Sequence, residues 1–245
     1  MKTRNYLYLI AIILILNACK KDPVTKPVNF TSTTYETLGT YNSIGLPDDL
    51  LKDTISDSLI SFVASILPDG KNLTLSHPEL FSNSAIGDVR ITQPSSVYIT
   101  FVSEGGDNKS AIAFYTYPTT QPPLKATDIS KITYVFPNAG SSTGLQAGDK
   151  VKIGEFDAGT SVGFVLMDNA WDPSTATLNN NAVHFCTNDA LNPEVDPKLK
   201  KHAVLIDYAP ENKILIGFED RDRTQANCDN DFNDVVIYST TVSSN

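Results

Sequence analysis

The chain has 245 residues, a formal net charge of −9 and a pI of about 4.7. This acidity and the lack of a basic stripe exclude nucleic acid as a partner, because phosphate binding needs clustered Lys and Arg. Residues 95–245 are long enough for one hydrophobic core and too short for two.

The first residues predict export and lipid anchoring. Lys2 and Arg4 precede an apolar run over 6–16, which is shorter than the roughly 20 residues of a membrane-spanning helix. Leu-Asn-Ala-Cys follows and ends at Cys19. We therefore expect a lipoprotein signal peptide at 1–18 and a lipidated Cys19 that anchors the protein to a bacterial outer membrane, on its periplasmic or surface face. The alternative is an ordinary signal peptide with an incidental cysteine.

Two segments are expected to connect the anchor to the main domain. Residues 19–44 are rich in Thr, Pro, Asn and Lys without apolar periodicity, which predicts a flexible tether. Residues 45–94 should form a helix and loop extension. The helix is expected to begin at Pro47 with acids in its first turn, to run to Leu67 and to pack on the domain. Its apolar stripe consists of Leu51, Ile55, Leu59, Phe62 and Ile66.

Short apolar segments separated by Gly, Pro and Asn turns fill residues 95–245, with no alternating helices. This pattern predicts an all-β domain of the β-sandwich or jelly-roll type. The expected strands are Val97–Ser103, Ala111–Tyr117, Lys131–Phe136, Val151–Phe156, Val162–Met167, Ala203–Tyr208, Ile214–Phe218 and Val235–Tyr238.

The last two expected strands enclose a loop crowded with acids. So many carboxylates at close quarters repel one another unless a cation lies among them. The alternative is that Asp and Asn are common in exposed turns, where they bond the local backbone. We predict a metal site formed by Glu219, Asp220, Asp229, Asp231, Asn233 and Asp234.

Calcium is the expected cation. Asp229, Asp231 and Asn233 alternate, as in tight calcium loops, and calcium accepts about six to eight oxygen ligands in irregular geometry. Zinc would require Cys or His at a suitable spacing. The loop is not an EF-hand, since Asp234 stands where that motif needs Gly and Thr240 where it needs Glu.

GFED, a variable loop and DNDFNDVVIY resemble the C-terminal motif of LruC-type proteins. The segments LQAGDKVKIGEFDAGTSVGFVLMDNAW, ALNPE and KHAVLIDY follow that family in the same order, so the resemblance covers roughly residues 86–238. The resemblance implies a secreted or surface β-rich module of unknown biochemical role with a calcium site on the acidic loop. It brings no catalytic residues.

The segment from Glu104 to Asn108 is first of all a hairpin turn containing Gly105 and Gly106. In the resembled family an acid and an Asn recur around this turn. The resemblance therefore implies that Glu104 and Asn108 can reach the calcium loop as additional ligands.

The remaining cysteines, Cys186 and Cys228, leave two alternatives open: a disulfide, as exported chains often form, or two free thiols. The three histidines lack metal or catalytic-triad spacing, and no Gly-x-Ser-x-Gly motif is present. Trp171 is expected in the core, with a sugar-stacking surface as the alternative.

Two functions are compatible with these features. The first is a non-enzymatic, calcium-stabilised surface or periplasmic module that binds a glycan or an envelope protein and serves adhesion or envelope assembly. The second is a secreted glycan-acting hydrolase that uses two loop carboxylates as acid and base or nucleophile. We favour the first, because acids that share a cation do not have the separated pKa values that glycosidases need.

Overall fold

The computed structural model of the chain describes residues 28–82 and 84–244, which form an all-β sandwich as predicted. The predicted signal peptide and the predicted lipidation site at Cys19 lie outside the described residues. The strands are β1 (Thr34–Thr37), β2 (Leu51–Lys52), β3 (Val89–Arg90), β4 (Ser95–Glu104), β5 (Ala111–Pro118), β6 (Lys131–Phe136), β7 (Asp149–Phe156), β8 (Thr160–Asp168), β9 (Trp171–Asp172), β10 (Thr177–Leu178), β11 (Val183–Cys186), β12 (Ala203–Tyr208), β13 (Lys213–Phe218) and β14 (Val235–Ser243). The α-helices are α1 (Asp57–Ile66) and α2 (Leu73–Ser76), and single 3-10 turns occur at Pro78–Phe81, Ala126–Asp128, Asp189–Leu191 and Ala209–Glu211.

Two sheets form the layers of the sandwich. One has the order β1-β6-β5-β8-β11, with β3 also paired to β8, and the other has the order β12-β13-β14-β4-β7-β2. Neighbouring strands are antiparallel except β1 and β6, which are parallel. The strands β9 and β10 form a separate small hairpin.

The core between the sheets takes alternate side chains from each strand, including Phe101, Phe164, Phe218 and Ile237. In β13 and β14 the other alternate side chains face outward and pack against Leu59 of α1. Both faces of these central strands are therefore buried, which is why their sequence is apolar without interruption.

All eight strands predicted from the sequence are present. The strands β6 and β12 have the predicted bounds, and the other six are longer by one or more residues. Among the described residues, no helix is long and apolar enough to cross a membrane.

The predicted helix begins too early in the sequence. The structure places its first turn at Asp57, because the side chain of Ser56 caps it by accepting a hydrogen bond from Leu59 N at 3.1 Å. The preceding segment is extended and pairs Leu51 with Lys150 of β7. The loop expected after the helix also contains α2 and a 3-10 turn.

The predicted tether at 19–44 needs correction for its described part, 28–44. Strand β1 pairs with β6, and Phe30 is buried and stacks on His184 with ring centroids 4.1 Å apart. These residues belong to the folded domain. The sequence did not reveal them because β1 is an edge strand with largely exposed side chains, so it lacks a clear apolar pattern.

Trp171 lies in the interior with 3% of its surface exposed, which confirms the core interpretation. Its ring meets that of Tyr41 edge-on, with centroids 5.8 Å apart. Aromatic side chains commonly fill cores in this geometry.

Candidate metal centre

The acidic loop is held at both ends by the antiparallel pair β13 and β14. Phe218 and Val235 are register partners, and Asp234 N donates to Phe218 O at 3.1 Å. The loop over 219–234 therefore begins and ends at fixed positions on the sandwich. Glu219 and Asp234 directly adjoin the strands.

The structure brings five of the predicted acids together in two groups. One group is Glu219, Asp220 and Asp234, and the other is Glu219, Asp229 and Asp231. Within each group, one oxygen from every carboxylate lies within 4.8 Å of the others. Two unit charges at such distances repel by about 4 kcal/mol even in a moderately polarisable environment. A bound cation would remove this repulsion.

Most of these carboxyl groups are removed from water. Glu219 is 0% exposed and Asp220 is 1% exposed, whereas Asp229 is exposed to solvent. Both side-chain oxygens of Glu219 and both of Asp220 are buried without a hydrogen-bond partner. Burial of charged groups without hydrogen-bond partners costs free energy in a folded protein. These four oxygens match the donor atoms that calcium prefers.

Backbone hydrogen bonds fix the other two buried acids. Asp234 Oδ2 accepts from Asp220 N at 2.8 Å. Asp231 Oδ2 accepts from Gly70 N at 2.7 Å, and its Oδ1 accepts from Asn233 N at 3.2 Å. A carboxylate has about four acceptor positions, so each retains capacity for a cation.

The backbone of the loop turns sharply at Asn230 and Phe232, which have φ angles of 60° and 59°. Such left-handed conformations are unfavourable for residues other than glycine. The Phe232 ring is fully buried, meets Phe81 edge-on at 5.3 Å and lies 5.3 Å from the Arg223 guanidinium carbon. This packing offsets the strain and anchors the acidic loop to the domain.

The side chains of the two loop arginines bond to groups other than the clustered carboxylates. Arg221 pairs with Asp107 at 3.1 Å, outside the cluster. Arg223 donates to Asn230 Oδ1 at 2.7 Å and to Lys201 O at 2.8 Å. In the part of the chain that the structure describes, no Lys or Arg forms an ion pair with the five acids.

The acids carry raised pKa values. Burial, followed by the charges of Asp234 and Asp168, raises the pKa of Asp220 to about 8. The pKa of Glu219 is raised well above its ordinary value by burial and then by the charge of Asp234. The pKa values of Asp231 and Asp234 are raised chiefly by burial. Without a cation, the site therefore disfavours its own ionised form.

Asn233 connects the acidic loop to two neighbouring segments. Its Nδ2 donates to Leu67 O at 3.5 Å, just beyond α1. A Cβ on Gly105 would come within 2.9 Å of Asn233 Oδ1. Asn233 thus joins the loop to the helix and to the β4–β5 turn.

The β4–β5 turn reaches the loop as the resemblance implied, but through different atoms. Gly106 has no room for a side chain, because a Cβ there would lie 2.7 Å from Asp220 Oδ2. Asn108 Nδ2 donates to Asp220 O at 3.4 Å. Glu104 is exposed and belongs to neither group of acids, although it lies opposite Val235 at the strand end. The structure therefore supports Asn108 as a neighbour of the site, but not Glu104 as a ligand.

The sequence prediction missed Asp168, the last residue of β8. Burial and the charge of Asp234 raise its pKa to about 6, while a hydrogen bond from Asn108 lowers it. An acid directly after the apolar run VGFVLM was the available signal. Its proximity to the loop depends on the packing of the two sheets.

His202 supports the loop from the interior, which its isolated position in the sequence did not indicate. Its Nδ1 lies 3.1 Å from Glu219 O, and its Nε2 lies 2.7 Å from Glu194 Oε1. The ring stacks on Phe185 with centroids 3.8 Å apart. This contact fixes the backbone of Glu219.

Cys186 and Cys228 are free thiols, so the structure contains no disulfide between them. Cys186 is buried beneath the outer face of the first sheet. Cys228 is half-buried beside Glu219, whose charge together with burial raises the thiol pKa. The two cysteines thus lie in different parts of the molecule.

A cavity of about 340 Å³ opens beside the loop. Asp168 and Asp222 line it together with amide side chains and the ring of His184. This mixture of acids, amides and an aromatic ring provides hydrogen-bonding groups for a polar ligand.

We expect the calcium-free protein to lose stability as the pH rises from about 6.5 to about 8.5. An unfolded Asp is already ionised in this range, whereas Asp220 in the fold keeps its proton up to a pKa of about 8. The native state therefore binds more protons than the unfolded state. The stability that the bound proton contributes is lost as the pH rises through the pKa of Asp220 in the fold. Melting temperatures in chelator across this range test the expectation.

Asp220→Asn should reduce this pH dependence. Burial lowers the pKa of His184 to about 4. Titration of His184 therefore changes stability mainly below pH 6.5 and should not mask the effect of Asp220→Asn. An unchanged slope in Asp220→Asn would contradict the assignment.

A model of a domain of unknown function, DUF4114, matches residues 156–241. The match includes all five clustered acids and Asp168, but not the β4–β5 turn. Comparison with curated proteins gives no significant match, and neither does comparison with solved structures.

Proposed function

We propose that this protein is a membrane-anchored lipoprotein whose β-sandwich is stabilised by calcium and serves as a binding module. The observation that carries the calcium assignment is the burial of four carboxylate oxygens of Glu219 and Asp220 without hydrogen-bond partners. A structure rarely leaves such groups unsatisfied unless a ligand or ion completes them.

The chemistry of the donors favours calcium over other cations. Both groups that could hold a metal consist only of carboxylates, which are hard oxygen ligands. Magnesium demands near-octahedral geometry and gives up its water reluctantly, whereas calcium tolerates an irregular set of ligands. An irregular loop with two left-handed residues suits calcium better.

The finer family assignment is also a proposal. The DUF4114 match covers the same loop that carries GFED and DNDFNDVVIY. We propose on these motifs that the domain is of the LruC type, whose resemblance implies a secreted or surface module.

We further propose that the module binds a glycan or an envelope protein, on the periplasmic or outer face of an outer membrane. The signal sequence and Cys19 support the location, and the polar cavity beside Asp168 supports a binding role. The net charge of −9 argues against nucleic acid.

The arrangement of acids favours this role over the glycan-acting hydrolase. A glycosidase needs two carboxyl groups roughly 5–9.5 Å apart across a cleft, with separated pKa values. Here the oxygens lie within 4.8 Å in each group, and burial raises the pKa of every buried member.

The test is the melting temperature of the purified protein in chelator, in calcium and in magnesium. We expect a rise specific to calcium, because an ion that binds only the folded state stabilises it. Asp231→Ala, which removes a ligand from one of the two groups of acids, should reduce the rise. The exposed Asp207 of β12 provides a matched control, and Asp207→Asn should keep the full response. Equal melting temperatures in all three solutions, with no metal in the purified protein, would refute the calcium site.

A further inference from the structure

The two groups of acids meet at one residue. Glu219 belongs to both, with Asp220 and Asp234 on one side and Asp229 and Asp231 on the other. Both oxygens of Glu219 are buried and lack hydrogen-bond partners, although a carboxylate can accept several bonds. A single residue with two free oxygens is suited to bridge two cations.

Separate contacts hold the two sides in place. Asp220 N donates to Asp234 Oδ2, so the first side is tied to the strand ends. Gly70 N donates to Asp231 Oδ2, so the second side is tied to the segment between α1 and α2. Each side therefore has a backbone hydrogen bond of its own.

The charge of the cluster also exceeds what one divalent ion compensates. The two groups contain five carboxylates, and the loop arginines are engaged elsewhere. One divalent ion would leave three negative charges in a largely buried site, whereas two would leave one. Uncompensated charge in such a site is strongly unfavourable.

We infer that the loop holds two calcium ions bridged by Glu219, the first bound by Asp220 and Asp234 and the second by Asp229 and Asp231. This inference rests on the proposed calcium function and specifies its stoichiometry. The first position is buried. The second includes the exposed Asp229, so it exchanges with solvent and fills at higher calcium concentration.

Equilibrium dialysis of the full chain with calcium measures the stoichiometry directly. The free calcium should be about 5 mM, above the range over which extracellular calcium modules fill. We expect two ions per chain in the wild type, one in Asp220→Asn, one in Asp229→Asn and none in Glu219→Gln. The control Asp207→Asn should bind two.

Circular dichroism of each variant shows whether it is folded. Asp229 is exposed, so Asp229→Asn keeps the fold and decides the question even if a buried variant does not fold. One ion in both the wild type and Asp229→Asn would overturn the second position and leave the calcium proposal intact. Two ions retained in Glu219→Gln would overturn the bridge. No bound calcium in the wild type would overturn the inference together with the proposed function.

Discussion

Glu219→Gln is expected to stabilise the calcium-free protein and to abolish its response to calcium. At about pH 8 the fold must either bury the Glu219 charge or take up a proton, and both cost free energy. Glutamine has nearly the same shape and is uncharged, so it avoids both the burial of a charge and the uptake of a proton. We expect a gain of about 1–3 kcal/mol in chelator, because each unit by which the fold raises the pKa of Glu219 costs about 1.4 kcal/mol and the neutral amide avoids this cost.

The same substitution removes the ligand common to both groups of acids. In the wild type, calcium at about 100 times its dissociation constant should add roughly 2.7 kcal/mol to the free energy of unfolding. In Glu219→Gln this increment should vanish. Denaturant unfolding in chelator and in calcium measures both effects, and the order of stability of the two proteins should reverse between the solutions.

Glu155→Gln is the matched control, because Glu155 is exposed on β7 and forms an ion pair with the exposed Lys152. It should change stability by less than about 1 kcal/mol and keep the calcium response. A Glu219→Gln protein that is less stable in chelator yet still responds to calcium would show that the carboxylate has a structural role instead.

Phe232→Ala is expected to cause the largest loss of stability near the loop. The ring is fully buried between Phe81 and Arg223, and it holds a residue with a left-handed backbone. Truncation of a buried Phe to Ala costs about 3–5 kcal/mol through lost contacts and the cavity that remains. Denaturant unfolding in chelator measures this cost.

Calcium affinity should fall as well, because Phe232 fixes the backbone between Asp231 and Asn233. We expect a loss of roughly tenfold or more in affinity, which corresponds to about 1.4 kcal/mol. Calcium titration by calorimetry measures it at a temperature where both proteins are folded.

Phe164→Ala separates the two effects. Phe164 is fully buried in the core between the sheets and pairs with Phe114 in the middle of β8 and β5. It should lower stability by a similar amount and leave calcium affinity unchanged. An equal loss of affinity in both variants would show that the loop responds only to global stability.

The main strands and the acidic loop could be predicted from the pattern of apolar and acidic residues. The strands β6 and β12 were predicted to the residue because their apolar segments are bounded by polar and turn residues on both sides. The acids of the loop were identifiable because a dense run of like charge is unfavourable in any conformation without a cation. Five of the six predicted ligands lie in the two groups.

The positions of the peripheral elements depend on long-range pairing and could not be predicted from local sequence. The strands β1 and β2 are short, and their side chains are largely exposed, so their pairing with β6 and β7 left no periodic pattern. The helix begins after Ser56, which caps its first turn, and the preceding Leu51 and Lys52 pair with β7. Long-range pairing overrode local preference at these positions.

The neighbours of the site were also decided by packing. Asp168 and Gly106 reach the loop from β8 and from the β4–β5 turn, and His202 contacts Glu219 from the interior. Asp168 comes from the other sheet, whereas Gly106 follows β4 and His202 precedes β12, two strands of the loop's own sheet. Local sequence determined which oxygens are available for a cation, and tertiary structure determined which of them are buried without partners, because burial is a property of the assembled layers.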